Sequence, residues 1–211
     1  MSLVQGLRAA LPPGLGLGSA DPRAPARGLW PAEEAATARM IPTRLREFAA
    51  GRRAARAAMA ALGLPAAALP MGPDRAPLWP APLRGAIAHD GTACLALVGR
   101  RADWAGIGLD LEPDLPLPAD LMATICHPGE AADARAARAV FCAKEAAYKA
   151  LHPQLGRPLA FHDMTVHLGP GDGFDAVLGP GCAPLAEGTR IEGRLLRGAG
   201  RLGALVLIRP F

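Results

Sequence analysis

Lysine is nearly absent from this sequence: Lys144 and Lys149 are the only two among 23 basic residues, and every other is arginine. Aromatic residues are scarce as well, with three Trp and one Tyr. That leaves few platforms for stacking bases, and no nucleic-acid motif accompanies the arginines, so a nucleic-acid binder is disfavoured. The four cysteines, Cys94, Cys126, Cys142 and Cys182, are scattered with neither a CxxC pair nor zinc-type spacing. They read as reduced thiols of a cytoplasmic protein. No apolar run approaches the length of a membrane span. The start, "MSLVQGLRAALPPGLGLG", has no charged segment leading into a continuous apolar stretch, so no signal peptide is expected. There is no GxSxG, Walker-type loop or dinucleotide fingerprint, which removes support for a hydrolase, a P-loop enzyme or a dehydrogenase.

What is present is a chain of 211 residues, 51% apolar, rich in Ala, Gly, Pro and Arg. That length suits one large domain or two small ones. Residues 1–104 carry 13 basic and 7 acidic side chains, whereas residues 105–211 carry 10 and 12. A basic half beside an acidic half suits a polyanion held on one side and a divalent cation on the other, although solvated helix faces would give the same balance. The pattern predicts a helix from about Thr43 to Leu62, stopped by Gly63, and another from about Glu130 to Leu151, ended by His152-Pro153. At an offset of 93 residues "FAAGRRAARA" matches "FCAKEAAYKA", pairing Arg52 with Glu145 and Arg56 with Lys149. Strand-like segments occur in each half: "LRGAIAH" and "TACLALVG", joined through a two-residue turn at Asp90-Gly91, then "GIGLDLE", "FHDMTVHL", "TRIEGRLL" and "LGALVLI". Stretches 64–82 and 169–184 read as extended loops. The expectation is an α+β protein of two similar halves, 1–104 and 105–211, related by a pseudo-twofold axis with a cleft between them. Each half would pack a small, mostly antiparallel sheet on a long helix, and one chain would suffice as a monomer.

The acids and lysines carry the chemistry. "GLDLEP" puts Asp110 and Glu112 two apart in a strand, hence on one face, with Leu109 and Leu111 on the other. Paired carboxylates raise each other's pKa unless a cation lies between them, and a hard divalent ion answers that need. A bare pair of this kind could simply face water at a strand end. Glu145 offers a third acid, one turn before Lys149, in the arrangement that also stabilises surface helices. Lysine is a compact charge suited to phosphate oxygens. Three carboxylates with Lys144 and Lys149 make a constellation for phosphoryl transfer.

"GLDLEP" followed by "FCAKEAAYKA" resembles the signature pair of the 4′-phosphopantetheinyl transferases. The match is nearest the two-domain kind (enterobactin-synthase component D and surfactin types) that serves siderophore, nonribosomal peptide and polyketide synthases. In the family's order stand also "RLREFAAGRRAAR" (44–56), "PLWP" (77–80), "GAIAHD" (85–90) and "HPGE" (127–130), so the resemblance covers roughly residues 40–165. It implies that Asp110, Glu112 and Glu145 hold magnesium, with manganese as a substitute. A carrier-protein serine would attack coenzyme A, taking its 4′-phosphopantetheine arm and releasing adenosine 3′,5′-bisphosphate. Lys149, with Lys144, would stabilise the phosphoryl oxygens, and either Glu145 or metal-bound water would take the serine proton. Arg44 and Arg52 match contacts of the coenzyme A 3′-phosphate, and His89 the family's strand-end histidine. The other histidines, His127, His152, His162 and His167, match nothing. The sequence departs from the family at Ala86 and Ala88, where small hydroxyl residues are usual, and at Met71, where Arg75 would substitute for a basic residue. The resemblance thus implies coenzyme A and apo carrier proteins as partners, with carrier docking expected at "LPLPADLMATI" (115–125). The alternative is a non-catalytic coenzyme A or carrier-binding protein of the same fold. For the enzyme, Asp110→Ala and Glu145→Ala are expected to abolish transfer with the fold intact.

Overall fold

The computed structural model describes residues 3–210. These divide into two compact units, one of residues Pro12–Trp104 and the other of residues 3–11 with Ala105–Arg209. Helix α1 (Leu3–Ala10), with Leu3 and Leu7 buried, contacts strands of the second unit, so residues 3–11 do not group with the stretch that follows them.

The first unit contains β1 (Leu15–Ala20), the short α2 (Pro31–Glu34), the long α3 (Pro42–Ala61), β2 (Leu83–His89) and β3 (Cys94–Arg100). Its antiparallel sheet has the order β1-β3-β2. Pro42 opens α3 at N1, where a missing N–H costs nothing, and Gly63 follows its end at φ +67°, as the sequence suggests. The hairpin turn differs from expectation. His89 pairs with Cys94, so four residues intervene, and Asp90 Oδ1 organises them by accepting from the Thr92 and Ala93 amides. Strand β1, "LGLGSA", has no strand-like signal in sequence because two of the three residues on its face beneath α3 are glycine.

The second unit contains β4 (Gly106–Pro113), α4 (Ala119–Ile125), α5 (Ala134–Leu155), β5 (Met164–Leu168), β6 (Gly173–Leu178), β7 (Arg190–Gly198) and β8 (Arg201–Ile208). They form α1 and α5 against an antiparallel sheet of order β4-β8-β7-β6-β5. The stretch 169–184, read as loop, supplies β6 and the turn that pairs it with β5. Helix α5 begins at Ala134 under an Asp133 N-cap whose side chain accepts from Arg135 N and Ala136 N. It also runs through Pro153 to Leu155 and stops at Gly156, φ +64°. Proline in the final turn removes one backbone bond without breaking the remainder.

The two units share a plan. Strand, long helix and returning hairpin (β1-α3-β2-β3) recur as β4-α5-β7-β8, with the β5-β6 hairpin added between helix and return. In both, glycines let the helix lie directly on the first strand. A Cβ on Gly16 or Gly18 would collide with the carbonyl oxygens of Ala58 and Ala54, and one on Gly106 or Gly108 with those of Ala150 and Ala146. Ala54 therefore corresponds to Ala146 and Ala58 to Ala150. This moves the repeat by one residue from the sequence match: Arg52 corresponds to Lys144, and Glu145 to Arg53. Replacing Gly108 by alanine is expected to destabilise by about 3 kcal/mol, the upper range for overpacking, because backbone rather than a side-chain tip must yield. Thermal unfolding checks this; an unchanged melting temperature would mean that α5 can lift off β4 freely.

Candidate active site

The close approach of α5 to β4 determines which side chains meet. Gly106, Gly108, Asp110 and Glu112 share the β4 face beneath α5, and the strand's last two polar groups lie where side chains replace glycine's empty space. Asp110 is only 5% exposed, so this pair does not simply face water at a strand end. Lys149, from α5, places Nζ 2.5 Å from Asp110 Oδ1 and 4.0 Å from Glu145 Oε2. Arg138, three turns earlier on α5, donates to Glu112 Oε2 at 2.6 Å. The other Asp110 oxygen, Oδ2, is buried with no hydrogen-bond partner.

The electrostatics follow from burial. Desolvation and the neighbouring Asp110 push Glu112 up to about 7, against the opposing pull of Arg138. Desolvation likewise raises Glu145, although Lys149 pulls it down. For Lys149, burial disfavours the ammonium, but Asp110 and Glu145 outweigh it and the net shift is upward. The lysine is thus held as a cation between two carboxylates. The buried Cys142 thiol, near the same acids, is pushed well up by burial and stays unreactive.

Asp110, Glu112 and Glu145 share a neighbourhood in which cations stand against each acid, Lys149 beside Asp110 and Glu145 and Arg138 beside Glu112. With those cations in place, no three His, Cys, Asp or Glu side chains among the described residues are drawn together into one cluster. One expectation needs revision, that for Lys144. It is 1% exposed, and its Nζ donates to Glu130 Oε2 at 2.9 Å and to the carbonyls of Ile125 and Phe161 at 2.8 Å each. Three donors meet three acceptors, which leaves none for a phosphate. Glu130 is occupied as well, by the His127 and Val166 amides, each at 2.6 Å.

Nothing in the sequence marks Arg138, one arginine among many. It also donates to the carbonyls of Leu115 and Pro116, and so ties the stretch expected to dock carriers to Glu112. Within that stretch α4 is helical, Leu117 and Ile125 are buried, and Leu115 and Leu121 remain exposed.

The first unit holds a second, basic group. Arg44 NH1 lies 3.0 Å from His89 Nε2 and 3.3 Å from Glu47 Oε2, which brings the helix residue to the end of β2. Arg52 is buried, its guanidinium 3.5 Å from the centre of the Phe48 ring. Its Nε donates to the Leu69 carbonyl at 3.0 Å, while its NH2 is buried without a partner. Desolvation lowers Arg52 to about 10, with Glu33 opposing and Arg44 and Arg56 adding to the fall, so it remains charged at neutral pH. Arg75 occupies an exposed turn at φ +67°, closed by bonds between Gly72 and Ala76 and between Arg75 and Gly72. Ala86 and Ala88 are buried on the β2 face opposite His89, and Met71 forms an isolated bridge with Pro77. Among the described residues no helix is long and apolar enough to cross a membrane.

Comparison with known proteins agrees with this division. Residues 32–99 match the 4′-phosphopantetheinyl transferase N-terminal domain, and residues 106–186 match the 4′-phosphopantetheinyl transferase superfamily. The chain is 38% identical over 197 residues to the 4′-phosphopantetheinyl transferase Svp of Streptomyces mobaraensis, covering 88% of this chain and 79% of that one. It is 34% identical over 143 residues to the 4′-phosphopantetheinyl transferase Npt of Nocardia iowensis, 64% of each chain. It is also 38% identical over 149 residues to the 4′-phosphopantetheinyl transferase PptT of Mycobacterium tuberculosis, 66% of each.

Proposed function

The chain belongs to the 4′-phosphopantetheinyl transferase superfamily, and from that premise we propose that it moves the 4′-phosphopantetheine arm of coenzyme A to a serine of an apo carrier protein. Adenosine 3′,5′-bisphosphate is the other product. The observation that carries the reading is the acid and cation cluster of Asp110, Glu112, Glu145 and Lys149 on β4 and α5, with one buried carboxylate oxygen left unpartnered.

That unpartnered Asp110 oxygen and an all-oxygen donor set fit a hard divalent cation such as magnesium. Asp110, Glu112 and Glu145 would hold it, and when bound it supplies charge neutralisation at the pyrophosphate. Lys149, kept charged by the two acids, is placed to meet phosphoryl oxygens. In the first unit the spare Arg52 NH2, Arg44 and His89 suit the 3′-phosphate, with Arg75 on the neighbouring loop. Carrier docking at residues 115–125 is supported by the exposed Leu115 and Leu121 on a segment that Arg138 joins to Glu112. Service to siderophore, nonribosomal peptide or polyketide synthases rests on the resemblance of the motifs to the two-domain kind.

The test is to incubate the purified protein with coenzyme A, magnesium and apo acyl, aryl and peptidyl carriers, then read the carrier mass. A phosphopantetheine adduct on the serine is expected, lost on chelation and restored by magnesium. Binding of coenzyme A with no adduct on any carrier would make the chain a non-catalytic binding protein.

A further inference from the structure

Glu33 has no exposed surface. Its Oε2 accepts the Trp30 amide at 2.9 Å, and its Oε1 accepts the Leu69 amide at 2.8 Å and Arg56 NH1 at 2.7 Å. The Trp30 ring lies over Arg56, 5.1 Å from its guanidinium carbon. The Leu69 carbonyl is taken by Arg52. One residue of the 64–82 loop is therefore clamped at both backbone groups, the N–H by a buried anion and the C=O by a buried cation. Its side chain is also fully buried in the core of the first unit.

The second unit builds the same device from "HPGE" as the first does from "WPAE". Glu130 accepts the amide three residues back, the distant Val166 amide, and a helix cation, Lys144. The two copies differ on the helix, where Glu33 is met by Arg56 but Glu130 by Lys144, the counterpart of Arg52. Lys144 has all its donors engaged, whereas Arg52, at the corresponding helix position, keeps a buried NH2 with no partner. One copy is closed; the other retains a donor for something else. A buried donor left unpaired is costly unless a ligand meets it.

We infer that Glu33 is a positioning residue for the phosphate-binding side of the coenzyme A site: it anchors the 64–82 loop through Leu69 and, with Arg52 gripping the same residue, fixes the guanidinium that meets the 3′-phosphate. This rests on the reading of the chain as a coenzyme A-dependent transferase. Glu33 touches no ligand itself. It acts through Leu69 and Arg56, and its charge opposes the effect of burial on Arg52.

The test compares coenzyme A with 3′-dephospho-coenzyme A, by calorimetric binding and by transfer kinetics, in wild type and Glu33→Gln. In Glu33→Gln coenzyme A is expected to bind about tenfold more weakly, the size of one charge-assisted contact, with the dephospho analogue changed less than about threefold. KM for coenzyme A should rise with it, while kcat at saturation stays within about threefold. A general loss of structure would weaken both ligands alike, so equal losses, or no loss, would overturn the inference while leaving the function standing. A wild type that neither binds nor uses coenzyme A would instead remove the functional reading itself. If Glu33→Gln does not fold, Glu33→Asp keeps the charge but falls one methylene short of Leu69. It should show the same selective loss in smaller measure, and unaltered discrimination would overturn the proposal.

Discussion

Asp110→Asn is expected to lower transfer by about a thousandfold while leaving the fold in place, a loss comparable to removing a preorganised electrostatic contact at the reacting charge. The amide keeps the shape of the carboxyl and an oxygen that accepts from Lys149, so the contact at 2.5 Å survives as a hydrogen bond. What disappears is the negative charge on the oxygen that has no protein partner. The alanine variant is a poorer probe than the sequence suggests. It would leave Lys149 with only Glu145, at 4.0 Å, and stranding one member of a largely buried pair costs about 3–5 kcal/mol. Loss of activity in Asp110→Ala would thus mix chemistry with unfolding, and Asp110→Asn separates them. Transfer kinetics beside a melting curve checks the result; near-wild-type turnover would take Asp110 out of the site.

Lys144→Met should do the opposite, destabilising the protein without touching the chemistry. Its removal leaves Glu130 charged in a place 1% exposed and deprives the Ile125 and Phe161 carbonyls of their donor. Breaking such a pair from one side costs about 3–5 kcal/mol, and for a chain of this length that is a melting-temperature drop of roughly 6–20 °C. Protein that remains folded should keep its KM for coenzyme A. Replacing both members, Lys144→Met with Glu130→Gln, should recover part of the loss, because no uncompensated charge then remains buried. A Lys144→Met protein of normal stability but weak coenzyme A binding would return Lys144 to the role its sequence position suggests.

These two lysines show how far sequence reaches. Five residues apart on one helix, they diverge by more than a helical row, so they must face different surroundings. Which surroundings could not be read. Helix α5 is alanine-rich on several sides and offers no apolar stripe to mark the inward face. The buried side of Lys144 was set by Glu130 and two carbonyls that lie outside the helix. Glu33 and Arg138 were illegible for a related reason. Each is one charged residue among others of its type, and its importance arises from a backbone group or carboxylate brought to it by folding.

The glycines mark the same boundary. Period two in "GLDLEP" placed both acids on one face, and the structure keeps that parity. The "LGLGSA" stretch gave no strand signal, since glycine has no side chain to show alternation. Only the approach of α3 makes glycine necessary there. The sequence by itself determined the two long helices, the order of the motifs and hence the family, because these depend on periodicity and local residue chemistry. Tertiary structure alone decided which cations stand between the acids, which lysine is buried and which arginine keeps a spare donor. Those outcomes depend on desolvation and on partners far away in the chain, and neither is written in local spacing.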